Sequence, residues 1–210
     1  MSDEIISDTV SFPSPPLQPD SNHLFPVFLK LENLSLLIVG GGYVGMEKLR
    51  AVLQNSPGAN IRIVATHISD EIKVVVAENK QVELIERPYQ STDIDGMDLI
   101  IAAVNDLAVS EQVSRDAKEK GKLVNAADKP GLCDFYLGSV VQKGNLKIAI
   151  STNGKSPTIA KRIKEVLIET LPDEIDDLLD NMQKIRNKMS GDFTDKVKQL
   201  NEITKRLSQE

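Results

Sequence analysis

Residues Leu36 to Gly45 read Leu-Leu-Ile-Val-Gly-Gly-Gly-Tyr-Val-Gly, an apolar run that enters three glycines spaced Gly-x-Gly-x-x-Gly at Gly40, Gly42 and Gly45. An unbroken apolar strand of this kind belongs in a sheet covered on both faces. Beyond it, Gly45, Leu49, Val52 and Leu53 recur at helical spacing until Asn55-Ser56-Pro57-Gly58 stops the helix. Each glycine has a mechanical task. Gly40 makes the tight turn, Gly42 lets the backbone approach a ligand, and Gly45 lets the helix pack closely on the strand. The helix N-terminus then offers unpaired N–H groups to an anion, which suits the pyrophosphate of a dinucleotide. The competing reading is a ligand-free glycine turn in an α/β protein.

The alternation continues. Asn60 to Ala65 predicts a second strand, Ser69 to Asn79 a helix, Val82 to Glu86 a third strand and Leu99 to Val104 a fourth. A polar helix from Leu107 to Lys120 then precedes a fifth strand at Leu123 to Ala126. Strands alternating with helices imply a parallel sheet. At Asp134 the pattern changes: Phe135 to Val141 and Leu146 to Ser151 flank Gln142-Lys143-Gly144-Asn145, which is hairpin chemistry. From Ser156, a helix N-cap followed by Pro157, the chain is helical, with apolar stripes at Ile159, Ile163, Val166 and Leu167, then Ile175 to Met189, then Phe193 to Leu207. These helices are too small to close a core alone. They pack either on this chain's own sheet or on a second copy.

With 210 residues and 40% hydrophobic composition, the chain can bury a full core. Its net charge of −6 argues against nucleic acid as the main partner. Cys133 is the only cysteine, so no disulfide framework exists, which fits a cytoplasmic setting. Residues 1–24 hold four acids and no Lys or Arg, and no apolar run approaches the ~20 residues of a membrane span. They read as a disordered extension rather than a targeting peptide. The organisation expected is thus an extension over 1–24, a dinucleotide-binding domain over 25–133, a hairpin over 134–155 and a helical module over 156–210.

Spacing removes several chemistries. A Tyr-x-x-x-Lys dyad is absent, because Glu47, Asp93 and Val140 stand four residues after the three tyrosines. Gly154-Lys155-Ser156 mimics a P-loop ending, but Ala149 occupies the place of its first glycine and Pro157 follows at once. His23, His67 and Cys133 are too scattered for a zinc-type cluster, so no metal site is expected. A methyltransferase would carry acids where Val39 and Ala65 stand.

The second strand ends in Ala65-Thr66-His67, with neither an acid for a ribose 2′-OH nor an Arg for a 2′-phosphate, so these residues do not choose between NAD and NADP. Ligands in an open parallel sheet lie beyond the carboxyl ends of the strands. Asn105-Asp106 and Asn125-Ala126-Ala127-Asp128-Lys129-Pro130 occupy two such ends. Asp128 either accepts a proton from a substrate or caps the turn before Pro130.

Together, Phe25-Pro-Val-Phe-Leu, the glycine segment, Ile101-Ala-Ala-Val-Asn-Asp, Val124-Asn-Ala-Ala-Asp and Ile148-Ala-Ile-Ser-Thr-Asn-Gly-Lys-Ser-Pro resemble one family over Leu24 to about Leu171. It is the precorrin-2 dehydrogenases, the dehydrogenase and ferrochelatase module of siroheme synthase. The resemblance implies a Rossmann-type parallel sheet followed by a β-hairpin and an α-helical dimerisation module. It implies oxidation of precorrin-2 to sirohydrochlorin with NAD as hydride acceptor, followed in some members by insertion of ferrous iron.

The family's catalytic aspartate falls on Asp128, and its cofactor contacts on Gly40, Gly42, Tyr43, Val44, Thr66, His67 and the neighbourhood of Asn105. The polycarboxylate tetrapyrrole is expected to meet Asn125, Lys155, Arg162 and the helix start at Ser156; the competing reading, and the default for surface charges, makes the cations part of a solvated helix face. Family members are homodimers through the hairpin and helices. Because the sequence ends at Glu210 without a methyltransferase half, a separate methyltransferase is expected to supply precorrin-2. The rival function is a dinucleotide-sensing regulatory module without catalysis.

Overall fold

A computed structural model describes residues 21–190 and 192–204. Residues 1–20 of the expected extension, and Leu207 of the last apolar stripe, lie outside them.

Five strands form one parallel sheet: β1 (Ser35–Val39), β2 (Asn60–Ala65), β3 (Val82–Glu86), β4 (Leu99–Ala102) and β5 (Leu123–Ala126), ordered β3-β2-β1-β4-β5. Helices α1 (Tyr43–Asn55), α2 (Asp70–Glu78) and α3 (Leu107–Glu119) connect them. The chain winds outward from β1 through β2 to β3, then crosses back to β4 on β1's other edge. That reversal between β1 and β4 is the switch point at which strand-end loops diverge and leave a crevice.

The core has two halves because the sheet is covered twice. Leu36 and Ile38 point to one face, where Met46, Leu49, Val52 and Ile72 of α1 and α2 bury them. Leu37 and Val39 point to the other, against Val113 and Ala117 of α3. Ser69 Oγ accepts the Ile72 amide as the N-cap of α2, and the Asp106 carboxylate accepts the Val109 amide as that of α3.

The hairpin departs from its expected start. Its strands are β6 (Ser139–Lys143) and β7 (Leu146–Ile150), joined by the two residues Gly144 and Asn145. Gly144 has φ +54, as the first central position of a tight hairpin turn requires. Residues 135–138 stay irregular because Phe135 packs into the sheet core and its carbonyl is taken by a side chain of β5. Lys147 Nζ donates to the Asn55 carbonyl at 2.5 Å, fastening the hairpin to the end of α1.

Three helices follow: α4 (Pro157–Thr170), α5 (Ile175–Lys188) and α6 (Phe193–Thr204). α4 lies on the hairpin, with Val141 and Ala160 buried between them. Asp176 at the start of α5 accepts from the Asn145 backbone amide at 2.7 Å and from its side chain at 2.9 Å, clasping the hairpin turn. The stripes of α4 and α5 are left largely open. Ile159, Ile163 and Val166 remain 52%, 41% and 56% exposed, and α5 buries no residue.

Candidate active site at the sheet switch point

A cleft of about 680 Å³ opens at the carboxyl ends of β1, β2 and β4. All seven residues expected to hold a cofactor line it: Gly40, Gly42, Tyr43, Val44, Thr66, His67 and Asn105. Gly40 adopts φ +128, and a Cβ there would sit 2.2 Å from the Ala103 carbonyl oxygen, so the turn presses against β4. At Gly45 an added Cβ would strike the Gly40 carbonyl at 2.1 Å; the close approach is therefore to the glycine turn itself, not to the body of the strand.

Gly42 behaves in the opposite way. A Cβ there meets nothing within 4 Å, because it would project into open space at the N-cap of α1, where no side chain caps the helix. The helix thus presents its N-terminal amides and the positive end of its dipole to an empty volume. This cradle fits a dinucleotide pyrophosphate. Gly42 and the first turn of α1 would hold the phosphates, while Thr66 and His67 would face the ribose.

Gly41 escaped the sequence reading, which treated it as a spacer. It is buried; an added Cβ would lie 2.3 Å from the His67 carbonyl, and the Ser69 amide donates to its own carbonyl at 2.9 Å. The β1–α1 and β2–α2 loops are therefore stacked backbone to backbone.

From the other side, Glu86 at the end of β3 accepts the Ile68 amide at 3.0 Å and stands 3.6 Å from His67 Nδ1 and 3.5 Å from Lys73 Nζ. The Ile68 amide, aided by Lys73, holds the Glu86 carboxyl below the usual carboxylate range.

Sequence reasoning also missed the far wall, which Pro88, Tyr89, Val109 and Gln112 complete. The loop after β3 is rigid: Asp93, 4% exposed, takes both Arg87 guanidinium nitrogens at 2.5 and 2.9 Å and the Gln90 amide at 2.8 Å. The Arg87 bonds keep the Asp93 carboxyl low. Tyr89 donates to Asp116 at 2.9 Å, and burial pushes its phenol far up. The useful signal was positional, since the end of a strand near the switch point is a wall wherever the crevice forms.

Asp128 does not line the cleft; it lies on the turn that follows β5. The Lys129 amide closes a turn onto the Ala126 carbonyl at 3.2 Å, and Asp128 occupies it with φ +59. The turn is tied to β4. The Ala127 amide donates to Ala102 at 2.9 Å, and Lys129 Nζ donates to the carbonyl of Val104, a cleft residue, at 3.2 Å. The Asp128 carboxylate is exposed and takes no hydrogen bond among the described residues.

The four expected substrate residues are not in the cleft. Asn125, on a strand covered on both faces, is 6% exposed, and its amide donates to the Phe135 carbonyl at 2.8 Å; its side chain braces the chain after β5 and faces inward. Ser156 Oγ accepts the Ile159 amide as N-cap of α4. Arg162 pairs with Glu165 at 2.6 Å, and Lys155 is exposed just before α4. Among the described residues no helix is long and apolar enough to cross a membrane, and no group of His, Cys, Asp or Glu is placed to hold a metal ion.

The crevice, the glycine cradle and the parallel order define a Rossmann-type dinucleotide-binding protein. Comparison with known proteins narrows this. Residues 27–139 match the family described as "Putative NAD(P)-binding", and residues 143–169 match "Sirohaem biosynthesis protein central". The chain belongs to the first of these, the NAD(P)-binding family.

It is 37% identical over 174 residues to a siroheme synthase of Psychrobacter sp. (strain PRwf-1), covering 83% of this chain and 34% of that protein. To a siroheme synthase of Pseudomonas fluorescens (strain SBW25) it is 35% identical, covering 81% and 36%. The chain thus spans about a third of the length of the curated relatives it matches. The solved structure of SirC, a precorrin-2 dehydrogenase, aligns with TM-score 0.69 and 29% identity over 86% of this chain and 89% of that one.

Proposed function

We propose that this chain oxidises precorrin-2 to sirohydrochlorin, with NAD as the hydride acceptor. The observation that carries the reading is the cradle at Gly42, open to a cleft that all seven expected cofactor residues line. The likeness to SirC over most of both chains supports the substrate class.

When bound, the nicotinamide ring would take a hydride from the macrocycle. This chain's residues do the rest. The first turn of α1 and Gly42 hold the pyrophosphate, Thr66 and His67 the adenosine ribose, and Asn105 the nicotinamide end. Asp128 accepts the proton that aromatisation releases, a role typically worth ~10²–10⁴-fold in rate. Lys155, Arg162 and the α4 N-terminus that Ser156 caps meet the substrate carboxylates. NAD rather than NADP fits a cleft whose lining contains no Lys or Arg for a 2′-phosphate.

The protein acts as a homodimer, since a second copy would cover the exposed stripes of α4 and α5. Ferrous iron is a second substrate. Its insertion needs two pyrrole protons removed beside the ring, a task that Asp128 would share.

Mixing the protein with enzymatically made precorrin-2 and NAD should give the absorbance of sirohydrochlorin and of NADH together. Dinucleotide binding without turnover would instead leave a regulatory sensor.

A further inference from the structure

We propose that Glu86 is the specificity residue of the ribose subsite: it fixes the loop carrying Thr66 and His67, and its charge excludes a dinucleotide with a 2′-phosphate. The inference rests on the cofactor reading above.

The usual fingerprint places an acid at the end of the second strand, accepting the ribose 2′-OH. Here that end carries Thr66 and His67, both exposed and both in the cleft wall. The carboxylate comes from the neighbouring strand. In the parallel register Glu86 lies beside Ala65, the last residue of β2, so its side chain reaches the loop that follows. There it accepts the Ile68 amide at 3.0 Å, and Ser69 on the opposite side donates to Gly41 at 2.9 Å. With both neighbours pinned, Thr66 and His67 stand on a backbone that does not reorganise when ligand enters.

Charge adds to position. The carboxylate lies 3.6 Å from His67 Nδ1 and 3.5 Å from Lys73 Nζ, so the groups able to attract a 2′-phosphate are both committed to Glu86. A phosphate beside His67 would meet that negative charge at close range, whereas an uncharged 2′-OH would not.

Glu86→Gln tests this, because the amide keeps the volume and an oxygen to accept from Ile68 while losing the charge and releasing Lys73. Affinities for NAD+ and NADP+ are measured by calorimetry, without tetrapyrrole, in wild type and variant. The Kd ratio should shift by at least ~10-fold toward NADP+, with NAD+ affinity within ~3-fold and the melting temperature nearly unchanged; this corresponds to about 1.4 kcal/mol. Adding Lys73→Met to Glu86→Gln should reverse most of the shift.

A purely structural role for Glu86 would weaken both ligands equally, so an unchanged ratio overturns the proposal. An unchanged ratio with intact NAD+ binding overturns this proposal alone. Failure of wild type to bind either dinucleotide overturns the cofactor reading with it. Absence of precorrin-2 turnover leaves the ratio readable and strikes only the catalytic reading.

Discussion

Two adjacent glycines should fail in different ways when filled, and the contrast separates fold from site. In Gly41→Ala the new methyl carbon would sit 2.3 Å from the His67 carbonyl oxygen and 2.9 Å from the Ile68 Cα, both backbone atoms. Those atoms cannot swing aside, since the Ile68 amide is held by Glu86 and the Ser69 amide by Gly41 itself. The two loops must separate by most of an ångström. Overpacking of this kind costs about 1–3 kcal/mol. For a chain of this size 1 kcal/mol moves the melting temperature by roughly 2–4 °C, so a fall of about 2–12 °C is expected.

Gly42→Val places its Cβ where nothing lies within 4 Å, at an ordinary negative φ. The weaker N-cap costs a few tenths to about 1 kcal/mol. The stiffer unfolded chain returns roughly 0.4–1. Its melting temperature should therefore stay within ~3 °C of wild type. Its branched side chain fills the pyrophosphate cradle, so NAD+ affinity should fall at least ~100-fold, about 2.7 kcal/mol. Differential scanning calorimetry and titration calorimetry on the same samples read both quantities. Wild-type affinity in Gly42→Val would remove the cradle from the cofactor site, and an unmoved melting temperature in Gly41→Ala would refute the stacking of the two loops.

Asp128→Asn should fold and bind NAD+ normally, since Asn tolerates the left-handed region well, while precorrin-2 oxidation falls at least ~10²-fold; wild-type turnover would reduce Asp128 to a turn residue. Asp93 has its carboxyl lowered in the folded protein, so its stabilisation is complete above the unfolded chain's ordinary 3.8 and is lost as pH falls through the folded value. The melting-temperature gap between wild type and Asp93→Asn should accordingly be full at pH 6 and shrink below pH 4, and a gap constant down to pH 2 would refute the pairing with Arg87. Light scattering at micromolar concentration should give twice the chain mass; a monomer would leave the α4 and α5 stripes unexplained. Ferrous iron with sirohydrochlorin should give a metal-dependent spectral change that needs no NAD and disappears in Asp128→Asn, and a rate equal to the uncatalysed one would confine the chain to dehydrogenation.

Local pattern made much of this fold readable. The bounds of β2, β3 and β5 follow from the residues because each is an apolar run stopped by polar or turn-forming neighbours, and the glycine spacing located the cradle at once. What stayed hidden depends on contacts between segments distant in sequence. Nothing local marks Gly41 as indispensable; its constraint is a carbonyl 26 residues on. Tyr89 and Gln112 come to one wall of the cleft only because the loop after β3 packs on α3, where Tyr89 donates to Asp116. The strand start expected at Phe135 fails for the same reason. An apolar run reads as a strand in isolation, but here Phe135 is needed in the sheet core and its carbonyl satisfies Asn125. Asn125 was partly legible, since a short strand covered on both faces leaves no side chain free for a ligand.

The turn bearing Asp128 joins the structural and chemical readings. A turn closed from the Lys129 amide to the Ala126 carbonyl, with its third residue at φ +59, is made most cheaply by Gly or Asn. Aspartate tolerates the same region at a small cost. Its side chain does not repay the choice by capping, because the carboxylate takes no hydrogen bond among the described residues. The neighbouring residue spends its charge on position instead, with Lys129 Nζ bridging the Val104 and Ala127 carbonyls at 3.2 and 3.4 Å. That bridge ties the turn after β5 to Val104, just past β4, whose next residue, Asn105, lines the cleft. A carboxylate with no hydrogen-bond partner among the described residues, on a turn tied to the end of β4, is available to accept a proton, as the role proposed for Asp128 requires. The strain is local, and the support comes from the two sheet ends.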